Sequence, residues 1–222
     1  MTKQPPVIAA FDPHTPVARR ELILGGQRSG KSRRAEMLAE AWLGVTNAVD
    51  ESGRPARCAI FVATATAHDD EMQARIRQHQ ADRAARLPGM QTLEEPTALA
   101  TIIRQHSQPH RLLLVDCLTL WLANQYPLDA GFTQSSAATD LLHAIETAKG
   151  PLVFVSNEIG LGVVPMGREV RAYVDALGWL NQQVAARCDR VCLMAAGLPL
   201  MLKDEPAPTL HVAPSHHDKH PS

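Results

Sequence analysis

The stretch LILGGQRSGKS, Leu22 to Ser32, decides how this chain is read. Three apolar residues run into Gly25-x4-Gly30-Lys31-Ser32, which fits the Walker A pattern when a buried strand precedes it and a helix follows. Gly25, Gly26 and Gly30 let the backbone turn tightly, so that the N–H groups of the loop, through Gln27, Arg28 and Ser29, face phosphate oxygens. A helix opening near Lys31 adds the positive end of its dipole. Lys31 is then the catalytic candidate that reaches the β- and γ-phosphates, and Ser32 offers its hydroxyl to Mg2+. The expected ligand is a nucleoside triphosphate.

The surroundings of the loop supply the context the motif needs. Apolar runs of strand length recur at Leu22–Leu24, Ala59–Ala63, Leu112–Val115, Leu152–Val155 and Val191–Ala195. They are continuous rather than alternating, as in strands buried on both faces. Between them, amphipathic patterns predict helices at Lys31–Leu43, Asp69–Arg83, Thr97–His106, Ser135–Lys149 and Gly167–Ala186. Strand and helix alternate, so the fold class is α/β: a P-loop NTPase with a RecA-like, mainly parallel sheet flanked by helices in a single domain. The runs Val191–Ala195 and Leu200–Lys203 are expected to pair and close one edge. The strand Leu112–Val115 ends in Asp116, the Walker B form, which sets a carboxylate in the crevice where open α/β sheets bind ligands, within reach of the metal.

Composition bounds the rest. A chain of 222 residues, 45% hydrophobic and 20% charged, can bury one sizeable core. Its net charge of −1 gives no electrostatic argument for a nucleic-acid or membrane partner. Cys58, Cys117, Cys188 and Cys192 lack paired metal-ligand spacing, as expected of reduced, buried thiols in a cytoplasmic enzyme. Residues 1–20 carry Pro5, Pro6, Pro13 and Pro16 without a long apolar stretch, and predict a flexible leader rather than a signal peptide or membrane span. The folded domain is expected over 21–203, with a disordered, proline- and histidine-rich tail over 204–222. Gly44–Arg57 and Arg86–Gly89 predict surface loops.

A phosphate loop does not name a reaction, because kinases, motors, switches and transferases all use one. In the Asp69–Arg83 pattern Met72, Arg75, Ile76 and His79 share a helical face, where a histidine is ordinarily a partly buried packing residue. Five stretches change that reading: GGQRSGKSRRAE (25–36), ATATAHDDEMQARIRQHQADR (63–83), LLLVDCLTLWLAN (112–124), VSNEIGLGVVP (155–165), and REVRAYVDALGWLNQQVA with CDRVCLMAAGLPLMLK (168–203). Together they resemble the bifunctional adenosylcobinamide kinases and adenosylcobinamide-phosphate guanylyltransferases of cobalamin assembly.

The resemblance implies that His79 takes up GMP. It implies GTP contacts at Gly25–Ser32, at Ala63, Thr64 and Ala65, at Gln80, Ala81, Asp82 and Arg83, at Glu94 and at Asp116. Glu95-Pro96 lines up with a Glu-Pro pair of that family, which favours Glu94 over Glu95. Ala84 stands where the family usually has proline, and the Arg86–Gly89 loop lengthens the segment before Glu94. Adenosylcobinamide and its phosphate are the implied substrates, ATP or GTP the phosphate donor, and a homotrimer the implied assembly.

The residue types suit this chemistry. A neutral imidazole is nucleophilic near pH 7 and its phosphorus–nitrogen bond is labile, so His79 can accept GMP and release it. The kinase step needs positioning and charge neutralisation, from Lys31 and the metal bound through Ser32 and Asp116. Arg28 in the loop and Arg33 and Arg34 on the helix are candidates for further positive charge, against the commoner reading of helix arginines as solvated surface residues. Asn157 or Glu158, ending the Leu152–Val155 strand, is a further site candidate against a capping role. Trp121, Trp179 and Tyr173 are expected in core or subunit packing rather than against a corrin ring. His211, His216, His217 and His220 lack the fixed geometry of a metal site. The rival readings are a plain small-molecule kinase and a nucleotide-switched binding module.

Overall fold

The structure, a computed structural model, describes residues 17–44, 57–66, 86–87, 89–125, 132–162 and 164–205. Among them are the strands β1 (Arg20–Gly25), β2 (Cys58–Ala63), β3 (Met90–Glu94), β4 (Arg111–Asp116), β5 (Leu152–Val155), β6 (Arg190–Ala195) and β7 (Leu198–Asp204). They form one seven-stranded sheet in the order β3-β2-β4-β5-β1-β6-β7. All neighbours are parallel except β6 and β7. β5 stands between the phosphate-loop strand β1 and the Asp116 strand β4.

The helices are α1 (Lys31–Gly44), α2 (Leu99–His106), α3 (Leu118–Ala123), α4 (Ser136–Thr147) and α5 (Arg168–Arg187). The continuous apolar runs are explained by two cores, one on each side of the sheet. Leu22 and Leu24 join Val62, Val115 and Phe154 under α2 to α5. Ile23 joins Phe61, Leu114 and Val153 under α1, through Ala35, Leu38 and Ala39. Successive strand residues point to opposite faces, so a run buried on both has no polar position left.

The expected edge hairpin is present. β6 and β7 pair antiparallel across the two-residue turn Ala196–Gly197, with φ of 52° and 81°. Positive φ at both central residues is the I′ turn, whose twist matches that of the strands. β7 continues to Asp204, one residue into the stretch expected to be tail, because Asp204 accepts a 2.9 Å bond from Arg190. At the other end β1 already begins at Arg20, inside the expected leader.

Several details differ from the sequence expectation. β3 and α3 were not anticipated. Helix α2 starts at Leu99 rather than Thr97, since the Glu95 carboxylate accepts from the N–H groups of Thr97 and Ala98 and holds these two residues in a turn ahead of the helix. Arg34 is not a cation for the ligand. It is buried beneath α1 and bonds Glu21, which is fully buried and also meets Arg190 at 3.3 Å. A buried carboxylate between two guanidinium groups is compensated, and it ties α1, β1, β6 and β7 together.

The aromatic expectation holds. Phe132 packs edge-on against both Trp121 and Trp179 at 6.3 Å, Trp121 donates to Thr97 O, and Tyr173 donates to Thr119 O. The four cysteines are free, and all but half-buried Cys58 are buried. Among the described residues no helix is long and apolar enough to cross a membrane. The Asp69–Arg83 helix, most of the Gly44–Arg57 loop and the terminal segments lie outside the described residues.

Candidate active site

The site is built along the carboxyl edge of the sheet. Gly25 ends β1 with φ 150°, and a Cβ there would sit 2.5 Å from Met194 O and 2.6 Å from Ser29 Oγ, so only glycine fits. Gly30 has φ 101° and lies 3.4 Å, measured from its notional Cβ, from Gly197. The hairpin turn after β6 therefore braces the loop, and Gly197 N donates to Ser29 O at 3.0 Å. Gly26, Gln27 and Arg28 form the exposed tip, with Arg28 left-handed at φ 57°. A loop held at both ends with an open tip is preorganised for phosphate.

Lys31 opens α1 and is 8% exposed. Its Nζ donates to Gly26 O at 2.6 Å, folding the side chain across the loop's concavity. Burial lowers its pKa from the usual lysine value, against the opposing pull of Cys117 and Asp116. Ser32 Oγ lies 3.5 Å from Asp116 Oδ2. Sequence places the two 84 residues apart, and the sheet brings them together. A hydroxyl and a carboxylate are hard oxygen donors that suit Mg2+ shared with phosphates. Among the described residues no group of three His, Cys, Asp or Glu is placed to hold a metal ion.

On the other side of β4, Ala63 is in register with both Asp116 and Glu94, so three predicted residues form one row at the edge. Thr64, fully buried, donates to Cys117 O at 2.7 Å and accepts from Cys117 N at 2.8 Å. Its hydroxyl is a strut between strand ends rather than an open donor. Ala65 follows it, half-buried. Burial pushes the neighbouring Cys117 thiol up to about 11, so it stays protonated near neutral pH.

Glu94 and Glu95 have different surroundings. Glu94 is exposed at the end of β3, whereas the half-buried Glu95 accepts from Thr97 Oγ1 and Ala98 N in the turn before α2. Backbone hydrogen bonds from Ala98 and Thr97 hold the Glu95 carboxyl below its usual value. A depressed carboxylate stabilises the fold above its ordinary pKa and loses that contribution as pH falls through the lowered one.

Ser156, Asn157 and Glu158 continue β5. Ser156 Oγ donates to Asn181 Oδ1 at 2.7 Å, and Asn157 N to Thr119 Oγ1 at 2.8 Å. Glu158 N donates to Gly25 O at 3.1 Å, and its carboxylate accepts from Gly160 N. This strand end therefore buttresses the phosphate loop from the side facing Asp116.

Sequence patterning alone did not single out Asn124 or Asn181. Asn124 Nδ2 bridges Thr64 O and Pro96 O at 2.7 and 3.1 Å, tying the β2 and β3 ends to α3. The signal available was a polar residue closing the apolar run LTLWLA. His79 and Gln80, Ala81, Asp82 and Arg83 lie outside the described residues.

Comparison with known proteins gives the family. The model of the cobinamide kinase / cobinamide phosphate guanyltransferase family matches residues 21–202. The bifunctional adenosylcobalamin biosynthesis protein CobP of Pseudomonas aeruginosa is 47% identical over 188 residues, 84% of this chain and 99% of the relative. The proteins CobU of Escherichia coli and Salmonella typhimurium, with the same description, are 31% and 32% identical over 195 residues, 82% of this chain and 98% of each relative. A phosphate loop, an acid on the strand beyond β5 and a family match across nearly the whole sheet place the chain among transferases: it belongs to the cobinamide kinase / cobinamide phosphate guanyltransferase family.

Proposed function

We propose that this enzyme phosphorylates adenosylcobinamide and then transfers GMP from GTP to the product through His79, giving adenosylcobinamide-GDP. The observation that carries the reading is the meeting of Lys31, Ser32 and Asp116 at the mouth of the glycine turn, inside a family match that spans the domain.

In the first reaction the aminopropanol hydroxyl of adenosylcobinamide attacks the γ-phosphorus of ATP or GTP. The new O–P bond forms as the β–γ bridging bond breaks, and the nucleoside diphosphate leaves. The loop amides and Lys31 hold the phosphates in line, and such positioning supplies most of this catalysis. Mg2+, held by Ser32 and Asp116, neutralises phosphate charge when bound. In the second reaction a His79 nitrogen attacks the α-phosphorus of GTP and expels pyrophosphate. A phosphate oxygen of adenosylcobinamide phosphate then attacks the same phosphorus and breaks the P–N bond. The nucleotide contacts assigned to Ala63–Ala65, Gln80–Arg83 and Glu94 belong to this reading.

Glu94 and Glu95 separate cleanly by experiment. Glu94→Ala is expected to raise the Kd for GTP about tenfold. Glu95→Ala is expected to cost about 1 kcal/mol of stability, the scale of a lost intramolecular hydrogen bond, with little change in GTP affinity. Thermal melts and titration with a fluorescent GTP analogue check both.

A cytoplasmic homotrimer completes the reading. Leu198, Leu200, Met201 and Leu202 lie exposed on the edge strand β7 and support self-association. Light scattering reads the mass.

The function is tested with labelled nucleotide. γ-Labelled ATP or GTP should pass its label to adenosylcobinamide. α-Labelled GTP should leave on the denatured chain a label that survives base and is lost in acid, as a phosphoramidate is. Transfer of γ-label without α-label identifies a plain kinase. Neither transfer, with nucleotide bound, identifies a switch module.

A further inference from the structure

We propose that Asn157 is a catalytic residue of the phosphoryl transfer, its side-chain amide donating a hydrogen bond to an oxygen of the γ-phosphoryl group as that group leaves the nucleotide. The assignment rests on the kinase half of the function proposed above. It also chooses between Asn157 and Glu158, which the sequence leaves as alternatives.

The backbone fixes which way Asn157 faces. β5 ends at Val155, yet its pairing with β1 runs on: Ser156 N donates to Ile23 O at 3.0 Å and Glu158 N to Gly25 O at 3.1 Å. Alternate residues bonding one neighbour is the pattern of a parallel ladder, so residues 156–158 are extended and their side chains alternate across the sheet. Val153 and Val155 pack in the core under α1, and Phe154 in the core under α2 to α5. Ser156 and Glu158 keep the side of Phe154. The Ser156 hydroxyl bonds Asn181 of α5, and Glu158 lines a groove with Gly178, Asn181 and Gln182 of the same helix. Asn157, between them, falls on the α1 side with Val155.

That side holds the phosphate chemistry. Leu112 and Leu114 pack under α1, and Asp116, next in the alternation, meets Ser32 of α1. Val155 is level with Ile23 in β1 and with Asp116 in β4. Asn157, two residues on, is level with Gly25 and beyond Asp116, between the phosphate loop and the acid. Lys31 and the oxygen donors Ser32 and Asp116 serve the β- and γ-phosphates. A group further out on the same face meets the outermost phosphate, which is the one transferred.

The position is built to present that amide. Buried side chains grip both backbone polar groups of Asn157: Thr119 Oγ1 accepts from its N–H at 2.8 Å, and Asn181 Nδ2 donates to its carbonyl at 3.1 Å. Among the described residues no hydrogen bond engages its own half-buried side chain. A donor on a clamped backbone is preorganised, and preorganised donors aimed at transition-state charge lower such barriers. Glu158 is the poorer candidate, since its carboxylate turns to Gly160 N and would repel phosphate.

In the transfer the substrate hydroxyl oxygen bonds the γ-phosphorus as the β–γ bridging bond breaks. The electron pair of that bond leaves with the nucleoside diphosphate, and the hydroxyl proton passes to solvent. Asn157 exchanges no proton; its Nδ2 holds a non-bridging oxygen of the moving group. In guanylyl transfer the reacting centre is the α-phosphorus, and the γ-phosphate departs unchanged within pyrophosphate. The same hydrogen bond then holds substrate without acting on the step.

The test separates the two reactions. Asn157→Leu removes the amide at similar size, and Asn157→Asp puts a charged acceptor in the same shape; neither removes the Thr119 or Asn181 bonds that hold the backbone. The kinase kcat is expected to fall roughly a hundredfold with Asn157→Leu and further with Asn157→Asp, while guanylyl transfer to adenosylcobinamide phosphate stays within about fivefold. Asn157→Ser, which keeps a shorter donor, should recover part of the kinase rate. A kinase kcat within about threefold of wild type in either of the first two variants, shown folded by a thermal melt, overturns the proposal. So does an equal fall in both reactions, which makes Asn157 a support of the loop, or a rise in KM for adenosylcobinamide alone, which makes it an acceptor contact. A wild-type protein that passes no γ-label to adenosylcobinamide overturns the functional reading itself, and that result appears before any variant is made.

Discussion

Lys31→Ala should lower kcat/KM for both the kinase and the guanylyl transfer roughly a thousandfold, the scale of removing a charge aimed at the reacting phosphates. The side chain is fixed by its place in the fold. It leaves the first turn of α1, is almost wholly buried, and reaches across the loop to Gly26 O at 2.6 Å. A bound triphosphate offers that ammonium a better partner than a carbonyl, so the side chain needs only a short swing to the phosphates. Both reactions use the same cradle and therefore fail together.

Stability should move the other way. Burial disfavours the charged ammonium, as its lowered pKa records. The empty loop thus bears a cost near neutral pH that alanine removes. Lys31→Ala is expected to melt no lower than the wild type without nucleotide and to gain less on adding GTP. Lys31→Arg should restore little activity, since a planar fork on a longer stem cannot occupy the same narrow mouth. Steady-state rates for both reactions and melts with and without GTP check each point. Loss of one reaction alone would separate the phosphate sites assigned here to a single loop.

The phosphate loop was legible in the sequence because its signal is local. Gly25 and Gly30 are demanded by their own φ and by the close approach of Met194 and Gly197. The five buried strands were legible because both faces are covered, which leaves an unbroken apolar run. β3 escaped notice for the converse reason: MQTLE is an edge strand with exposed positions, and only Met90 and Leu93 pack half-buried against the two cores. α3 was hidden by an excess of apolar character. LTLWLA follows β4 after one residue, its N-cap Cys117 makes no side-chain cap bond, and nothing polar marks where strand gives way to helix.

Arg34 illustrates a third kind of limit. On its own helix it looks like one of two cations beside the phosphate loop. Its partner Glu21 lies in the preceding strand and the third member, Arg190, 169 residues beyond Glu21, so only the folded sheet shows that the charge is already matched. The candidate site divides along the same line. Lys31, Ser32 and Asp116 follow from motif and strand context. The contrast between Glu94 and Glu95 needed the position of α2, and the role of His79 rests on resemblance to the family.

His79→Ala is expected to abolish incorporation of α-label and to lower guanylyl transfer by roughly 10⁴-fold or more, the scale of losing a covalent nucleophile, while the kinase rate stays within about threefold. The asymmetry follows from where bonds form. In the kinase step the attacking atom belongs to the substrate, and the chain supplies Lys31, the loop amides and the oxygen donors Ser32 and Asp116. No imidazole takes part. In the guanylyl step the attacking atom belongs to the chain, so its removal leaves a triphosphate correctly held and nothing to receive GMP. Glutamine at the same position keeps much of the bulk and a hydrogen-bonding end but lacks the nucleophilic nitrogen, and it should behave like alanine. If His79 instead packs a helix face, as a histidine at that spacing ordinarily does, alanine will lower the melting temperature and both reactions alike while α-label remains on the chain. Paired assays with γ- and α-labelled GTP on one preparation, alongside a thermal melt, decide between these outcomes.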